Sequence, residues 1–211
     1  MAGYRERILS SLTQQTAAAD APAAEPMSQQ EFVGAQLRAL RAARRLSLGD
    51  VARETGISAS FLSLVENGRS DITIGRLTRL VDYYGISIAD LLPAPGTRDP
   101  DVVRADEARQ LHSPEEGATI TLLSSGTDRT MLPMMVELAP GASLAESGHH
   151  AGEEFVHVLS GRLLLEVDAA EPHELAAGDS AYYKSDRPHM FRNASAEEPL
   201  RLICIDSPPP I

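Results

Sequence analysis

Two adjacent histidines and two adjacent glutamates fall within SGHHAGEEF, residues 147–155. Imidazole nitrogens and carboxylate oxygens are donors that hold divalent transition metals. The same side chains also line pockets for organic ligands, or stand in a wet loop. Spacing divides the cluster. In extended backbone, residues two or four apart share a face. His150 and Glu154 then point one way, with Val156 and Val158 continuing that face into an apolar interior. His149 and Glu153 point the other way. His150 and Glu154 are therefore the candidate pair.

The rest of the chain must supply the elements that hold them. Its 211 residues suffice for one large domain or two modest ones, and 43% hydrophobic with 23% charged residues suits a globular fold rather than a disordered one. No apolar run approaches the length of a membrane span, and MAGYRERILSS lacks the apolar core of a signal peptide, so a cytoplasmic protein with no membrane partner is expected. Cys204 is the only cysteine, which excludes an internal disulfide or a multi-cysteine metal knot. Charge is uneven. Residues 31–92 carry eight basic and seven acidic side chains, whereas residues 93–211 carry nine and twenty. The net charge of −11 thus belongs to the C-terminal half, and the asymmetry suggests two units with different partners.

Residues 1–30 include the low-complexity run AAADAPAAEP and read as a flexible tail. Residues 31–92 read as a bundle of five helices. Phe32, Val33, Leu37 and Leu40 recur at helical spacing. Ser47 with Asp50 forms a capping-box pattern ahead of LGDVARET, which Gly56 ends. Ser58 starts ASFLSLVEN, closed by Gly68. A fourth helix covers about Thr73–Tyr84 and a short fifth is SIADLL. Pro93, Pro95, Gly96 and Pro100 mark a linker over residues 93–110. From residue 111 the period changes to short apolar or alternating runs (TITLLSS, MMVELA, EFVHVLSG, RLLLEVD, SAYYK, HMFRN and LRLICID) between turn signals. Such spacing indicates an all-β sandwich or barrel.

The words SLGDVARETGIS and SFLSLVENGRS place a tight turn between two helices and resemble the phage-repressor-like (Xre) helix-turn-helix family. That resemblance implies binding to double-stranded DNA, with the second helix in the major groove. The residues it assigns to DNA are Ser58, Ala59, Ser60, Ser63, Asn67 and Arg69. It also implies a buried structural pair between Arg41 and Glu66. Two departures stand out. Leu48 occupies a position where a phosphate-binding Gln is common, and the small side chains Ala59, Ser60 and Ser63 offer little bidentate base readout. A domain with so little net positive charge should bind weakly alone, so a homodimer or higher homo-oligomer on a palindromic site is expected.

In the C-terminal half, PGASLAESGHHAGEEFVHVLSG and AGDSAYYKSDRPHMFRN resemble the two motifs of a small cupin (jelly-roll) barrel, residues 111–211. The resemblance implies a metal held by His150 and Glu154 of the first motif and His189 of the second, with His149 as the alternative ligand. One customary first-motif histidine is missing, because Gly148 or Ser147 stands in its place. Two histidines and one carboxylate suit Fe(II), Mn, Ni or Zn. The alternative is a polar pocket for an organic ligand without metal. Met134, Val136, Tyr182, Phe191 and Ile203 are expected inside the barrel, His157 at the surface, and no role attaches to His112 or His173. The whole reads as an α + β two-domain chain: a DNA-binding transcription regulator whose cupin domain senses a small molecule, a divalent metal, or both, with no catalytic residues. The competing expectation is an Fe(II)-dependent cupin oxygenase, similar in architecture to hydroxypropylphosphonate epoxidase.

Overall fold

The computed structural model describes residues 27–93, 102–125, 129–144 and 150–208. The N-terminal tail to residue 26, the linker residues Pro95, Gly96 and Pro100, and Ser147, Gly148 and His149 lie outside the described residues. Among the described residues, four α-helices come first: α1 Gln29–Ala43, α2 Leu48–Thr55, α3 Ala59–Glu66 and α4 Ile74–Tyr84. Each starts at a hydroxyl N-cap, Ser28, Ser47, Ser58 and Thr73, whose oxygen accepts a backbone N–H from the first turn. Ser47 and Asp50 form the full capping box. Gly56 and Gly85 end α2 and α4 in the left-handed conformation that glycine adopts without strain.

The expected fifth α-helix is instead a 3-10 turn, Ile88–Leu91. Four residues followed by extended Leu92 and then Pro93 leave no room for an α-helical ladder. The helices bury one stripe each: Val33 and Leu37 of α1, Val51 of α2, Leu62 and Val65 of α3, and Leu77, Leu80 and Val81 of α4. Burying each such side chain stabilises the fold by about 1.5–3 kcal/mol. Gly34 lets α1 approach the backbone of α3 closely.

Nine strands follow among the described residues: β1 Gln110–Ser113, β2 Ala118–Leu122, β3 Leu132–Leu138, β4 Glu153–Ser160, β5 Arg162–Val167, β6 His173–Ala176, β7 Ser180–Lys184, β8 His189–Asn193 and β9 Leu200–Ser207. They form a six-stranded sheet in the order β1-β2-β3-β9-β4-β7 and a three-stranded sheet β6-β5-β8, all paired antiparallel. This is two sheets rather than the closed barrel expected, among the described residues. Edge strands β1 and β6 were not visible as apolar runs, because QLHS buries only Leu111 and Ser113 and HELA exposes three of its four residues.

Strand phase decides what lies inside. Met134, Val136 and Phe191 are buried as expected. Tyr182 is 66% exposed and Ile203 only half-buried, so both expectations are corrected by one residue. Tyr183 and Cys204 take the inward places, because successive side chains on a strand face opposite sides. Asn193 is buried in β8. Its side-chain amide donates to the carbonyls of Leu138, Ala139 and Glu198, and its oxygen accepts from the Ser195 N–H.

Candidate functional site

Alternation along β4 buries Glu154, Val156 and Val158 and leaves Glu153 exposed. Outward-facing Glu153 accepts a hydrogen bond from the Tyr182 hydroxyl. His157 also faces away and contacts the Ser180 hydroxyl at 2.8 Å. His150 lies just before β4 on a segment tied to the end of β7: its N–H donates to the Ser185 carbonyl at 2.8 Å, and the Ser185 N–H donates to Gly152 at 3.0 Å. Gly152 has φ of 115°, and a Cβ there would stand 2.5 Å from the Ser207 carbonyl oxygen. Only glycine lets the chain turn into β4 so close to β9.

His189 begins β8 in the other sheet. The two sheets bring its Nε2 to 3.1 Å from Glu154 Oε2, with His150 Nε2 3.5 Å from the same oxygen. The two imidazole rings meet edge to face at 5.5 Å. One donor atom from each of the three residues lies within 4.8 Å of the others. Ligand atoms bonded to one ion at about 2.1 Å stand about 3.0–3.5 Å apart at octahedral to tetrahedral angles, so the spacing fits a metal.

The hydrogen bonding makes the same point. His189 Nδ1 contacts the Arg187 carbonyl at 2.9 Å, and a carbonyl can only accept. Nδ1 therefore carries a proton, and in neutral imidazole Nε2 presents a lone pair toward Glu154 Oε2. Two such acceptors meet favourably only around a cation, either a proton or a metal. Glu154 Oε2 and His150 Nδ1 have no hydrogen-bond partner although both are buried. The other carboxylate oxygen, Oε1, accepts from the Cys204 thiol at 2.9 Å, which fixes the orientation of Glu154.

Three inward residues were missed at the sequence level: Tyr183, Cys204 and Asp206. Strand pairing sets Glu154 opposite Tyr183 on one side and Asp206 on the other. Asp206 Oδ1 is 3.9 Å from His150 Nε2, and Glu154, Cys204 and Asp206 form a second cluster with metal-ligand spacing. The usable signal was the period-two set Leu200, Leu202, Cys204 and Asp206, which competes with Ile203 and Ile205 for the inner face.

Burial pushes the Asp206 carboxyl up, reinforced by the negative charge of Glu154. Burial alone would also raise Glu154, but the two imidazoles of His150 and His189 beside it outweigh burial and hold the carboxyl low. Both histidines lie above their ordinary value: burial opposes their charge, and the Glu154 carboxylate overcomes it. Burial, then Glu154, pushes the Tyr183 phenol up, so it remains protonated. The site opens into a cavity of ≈ 110 Å³ whose walls include Met134 and Val136 of β3, Phe191 of β8 and Leu144.

In the helical half, α3 presents Ser60 and Leu64 to solvent, with Ala59 and Ser63 partly covered. Ser58 caps the helix and its hydroxyl lies 3.2 Å from that of Ser60. Asn67 donates to the Ser63 carbonyl at 2.6 Å, and Arg69 is exposed beyond the helix end. Leu48 is half-buried against the core, which explains its apolar character. Arg41 grips buried Glu66 through two hydrogen bonds of 2.7 Å and also donates to the Leu46 carbonyl. That pair holds α1 to the C-terminal end of α3.

Comparison with known proteins gives both halves a kinship. Residues 33–94 match the helix-turn-helix domain family and residues 134–206 the cupin domain family. The HTH-type transcriptional regulator PuuR of Escherichia coli (strain K12) is 29% identical, covering 77% of this chain and 88% of its own length. The HTH-type transcriptional regulator SutR of the same organism is 25% identical over 79% of this chain and 89% of its own. The crystal structure of an HTH_3 family transcriptional regulator from Vibrio cholerae shares the fold, with a TM-score of 0.66 at 24% identity over 85% of this chain and 97% of that one. With both domains matched in this order, the chain joins a helix-turn-helix domain to a C-terminal cupin domain and is homologous to HTH-type transcriptional regulators.

Proposed function

We propose that residues 31–92 read double-stranded DNA as part of a homodimer and that residues 111–211 sense a small molecule through a divalent metal. The observation that carries the sensing half is the convergence of His150, Glu154 and His189 on one buried point, with lone pairs that need a cation between them. These three residues would hold the ion, with Cys204 fixing the carboxylate. Fe(II), Mn, Ni and Zn all suit such a donor set. A bound ion would supply a positive charge to which an anionic or lone-pair group of the effector attaches. PuuR and SutR, which align along more than three quarters of the chain, are regulators, which favours sensing over oxygenase chemistry for the same three ligands.

On the DNA side, Ser58, Ala59, Ser60, Ser63, Asn67 and Arg69 form the proposed contact face. Exposed Leu64 adds an apolar group suited to thymine methyls. Amides at the start of α3 and Arg69 would engage phosphate. The acidic β half repels phosphate, so the dimer must keep it off the duplex. No helix of the described residues is long and apolar enough to cross a membrane, consistent with action on DNA in the cytoplasm.

The test has two arms. Genomic fragments captured by the full-length protein should share a palindromic site, bound with steep salt dependence. Absence of sequence-selective capture at low salt would refute DNA reading. Elemental analysis of protein purified without oxygen should find metal that His150→Ala and His189→Ala lose. Unchanged metal content in those variants would refute the ligand assignment.

A further inference from the structure

The cavity holding Glu154 and the two histidines has one more wall, and that wall is helical. Ile74, Gly75 and Thr78, in the first turns of α4, line the same space as His150, Glu154 and His189. Two polar ties fasten this helix and the 3-10 turn after it to the β half. Buried Glu116, in the turn between β1 and β2, accepts the Ile74 N–H at 2.6 Å and the Ser113 hydroxyl at 2.8 Å. Its carboxylate thus sits at the positive end of α4, where first-turn donors lack intrahelical partners. Beyond the other end of α4, Arg109 donates to the Ala89 carbonyl in the 3-10 turn at 2.8 Å.

The same helix holds both members of the helix-turn-helix. Arg76 stacks its guanidinium over the Phe61 ring of α3, 4.8 Å from the centroid. Arg79 donates to the Thr55 carbonyl at the end of α2 at 3.2 Å. One rigid element therefore touches the ligand cavity on one side and the DNA-reading helices on the other.

We infer that the effector site is shared between the domains: α4 supplies part of its wall, and occupancy of the cavity is felt by α2 and α3 through that helix. The inference rests on the sensing role proposed above. It also limits the effector. The lining calls for a metal-binding group toward His150, Glu154 and His189 and an apolar end toward Ile74 and Phe191. A short-chain carboxylate has that form. Because coupling acts equally in both directions, a ligand that favours one α4 placement changes DNA affinity by the factor by which DNA changes its own.

Hydrogen exchange of the full-length protein with and without Zn(II) tests this. Zn(II) should slow exchange in β4 and β8 and also in α4, which contributes no ligand, by about 5-fold or more. In Glu116→Ala, protection of β4 and β8 should persist while that of α4 is lost. Protection confined to the strands in the unaltered protein would overturn the shared wall while leaving the metal site intact. Full α4 protection in Glu116→Ala would overturn the Glu116 tie as the route. No bound Zn(II) and no protection anywhere would overturn the sensing role itself, and this inference with it.

Discussion

Adding one methyl group to α1 should separate packing from helix propensity. Gly34 is buried in α1, and a Cβ at that position would lie 2.2 Å from the backbone oxygen of Val65 in α3. Real Cβ contacts stay beyond 3.0 Å, so α1 and α3 must part by about 0.8 Å. A backbone carbonyl cannot rotate away as a side-chain tip can. Alanine itself favours a helix interior over glycine by about 0.5–1 kcal/mol. Overpacking of a filled core costs about 1–3 kcal/mol and occasionally more. The clash should win, leaving Gly34→Ala less stable by about 1–2 kcal/mol. For a unit of this size that is roughly 5–15 °C in Tm. Gly49→Ala is the control. It lies in exposed first-turn backbone of α2, where a Cβ meets nothing closer than the Ser47 hydroxyl at 3.6 Å, so it should be neutral or stabilising. Thermal unfolding followed by helical circular dichroism reads both variants. If Gly34→Ala raised Tm as Gly49→Ala does, the close approach of α1 to α3 would be wrong.

Other perturbations probe the remaining features. Glu66→Ala leaves the Arg41 guanidinium without its partner and should cost about 3 kcal/mol in urea unfolding, the low end for a buried pair because Arg41 keeps 18% of its side chain in water. A loss under 1 kcal/mol would show the pair to be incidental. Asn193→Ala removes the buried amide that donates to the Leu138, Ala139 and Glu198 carbonyls and should destabilise the β domain by about 1–3 kcal/mol, whereas an unchanged urea midpoint would contradict that role. Metal uptake should weaken in acid. Both histidines are held above their ordinary value in the metal-free site, so protons occupy the ligand nitrogens as the pH falls through those raised values, and affinity is full only above them. Calorimetric affinities that stayed flat between about pH 5 and 8 would exclude histidine ligands.

Much of the site was readable from local pattern. Alternation alone paired His150 with Glu154 and turned Glu153 and His157 outward, because strand faces repeat every second residue. Motif resemblance then added His189. The failures share a cause. Tyr182 and Ile203 were assigned inward where Tyr183 and Cys204 belong, because YY and ICI are apolar in both phases and only pairing with β4 fixes which face is buried. The short fifth helix failed similarly, since four residues before a proline satisfy a helical pattern without room for its ladder.

The sequence by itself determined the elements and their ends. Hydroxyl caps at Ser47 and Ser58, glycine stops at 56 and 85, and the change from helical to alternating period past the prolines all act over a few residues. The tertiary structure decided what those elements build together. Asp206 and Cys204 join Glu154 only through the β4–β9 ladder, and His189 arrives only when the second sheet packs on the first. Glu116 reaches Ile74 across 42 residues of chain, so no local pattern announces that a helix of the DNA-reading domain closes the cavity. Contacts between residues so far apart arise from packing and pairing of whole elements, and this packing turns two separate motifs into one connected site.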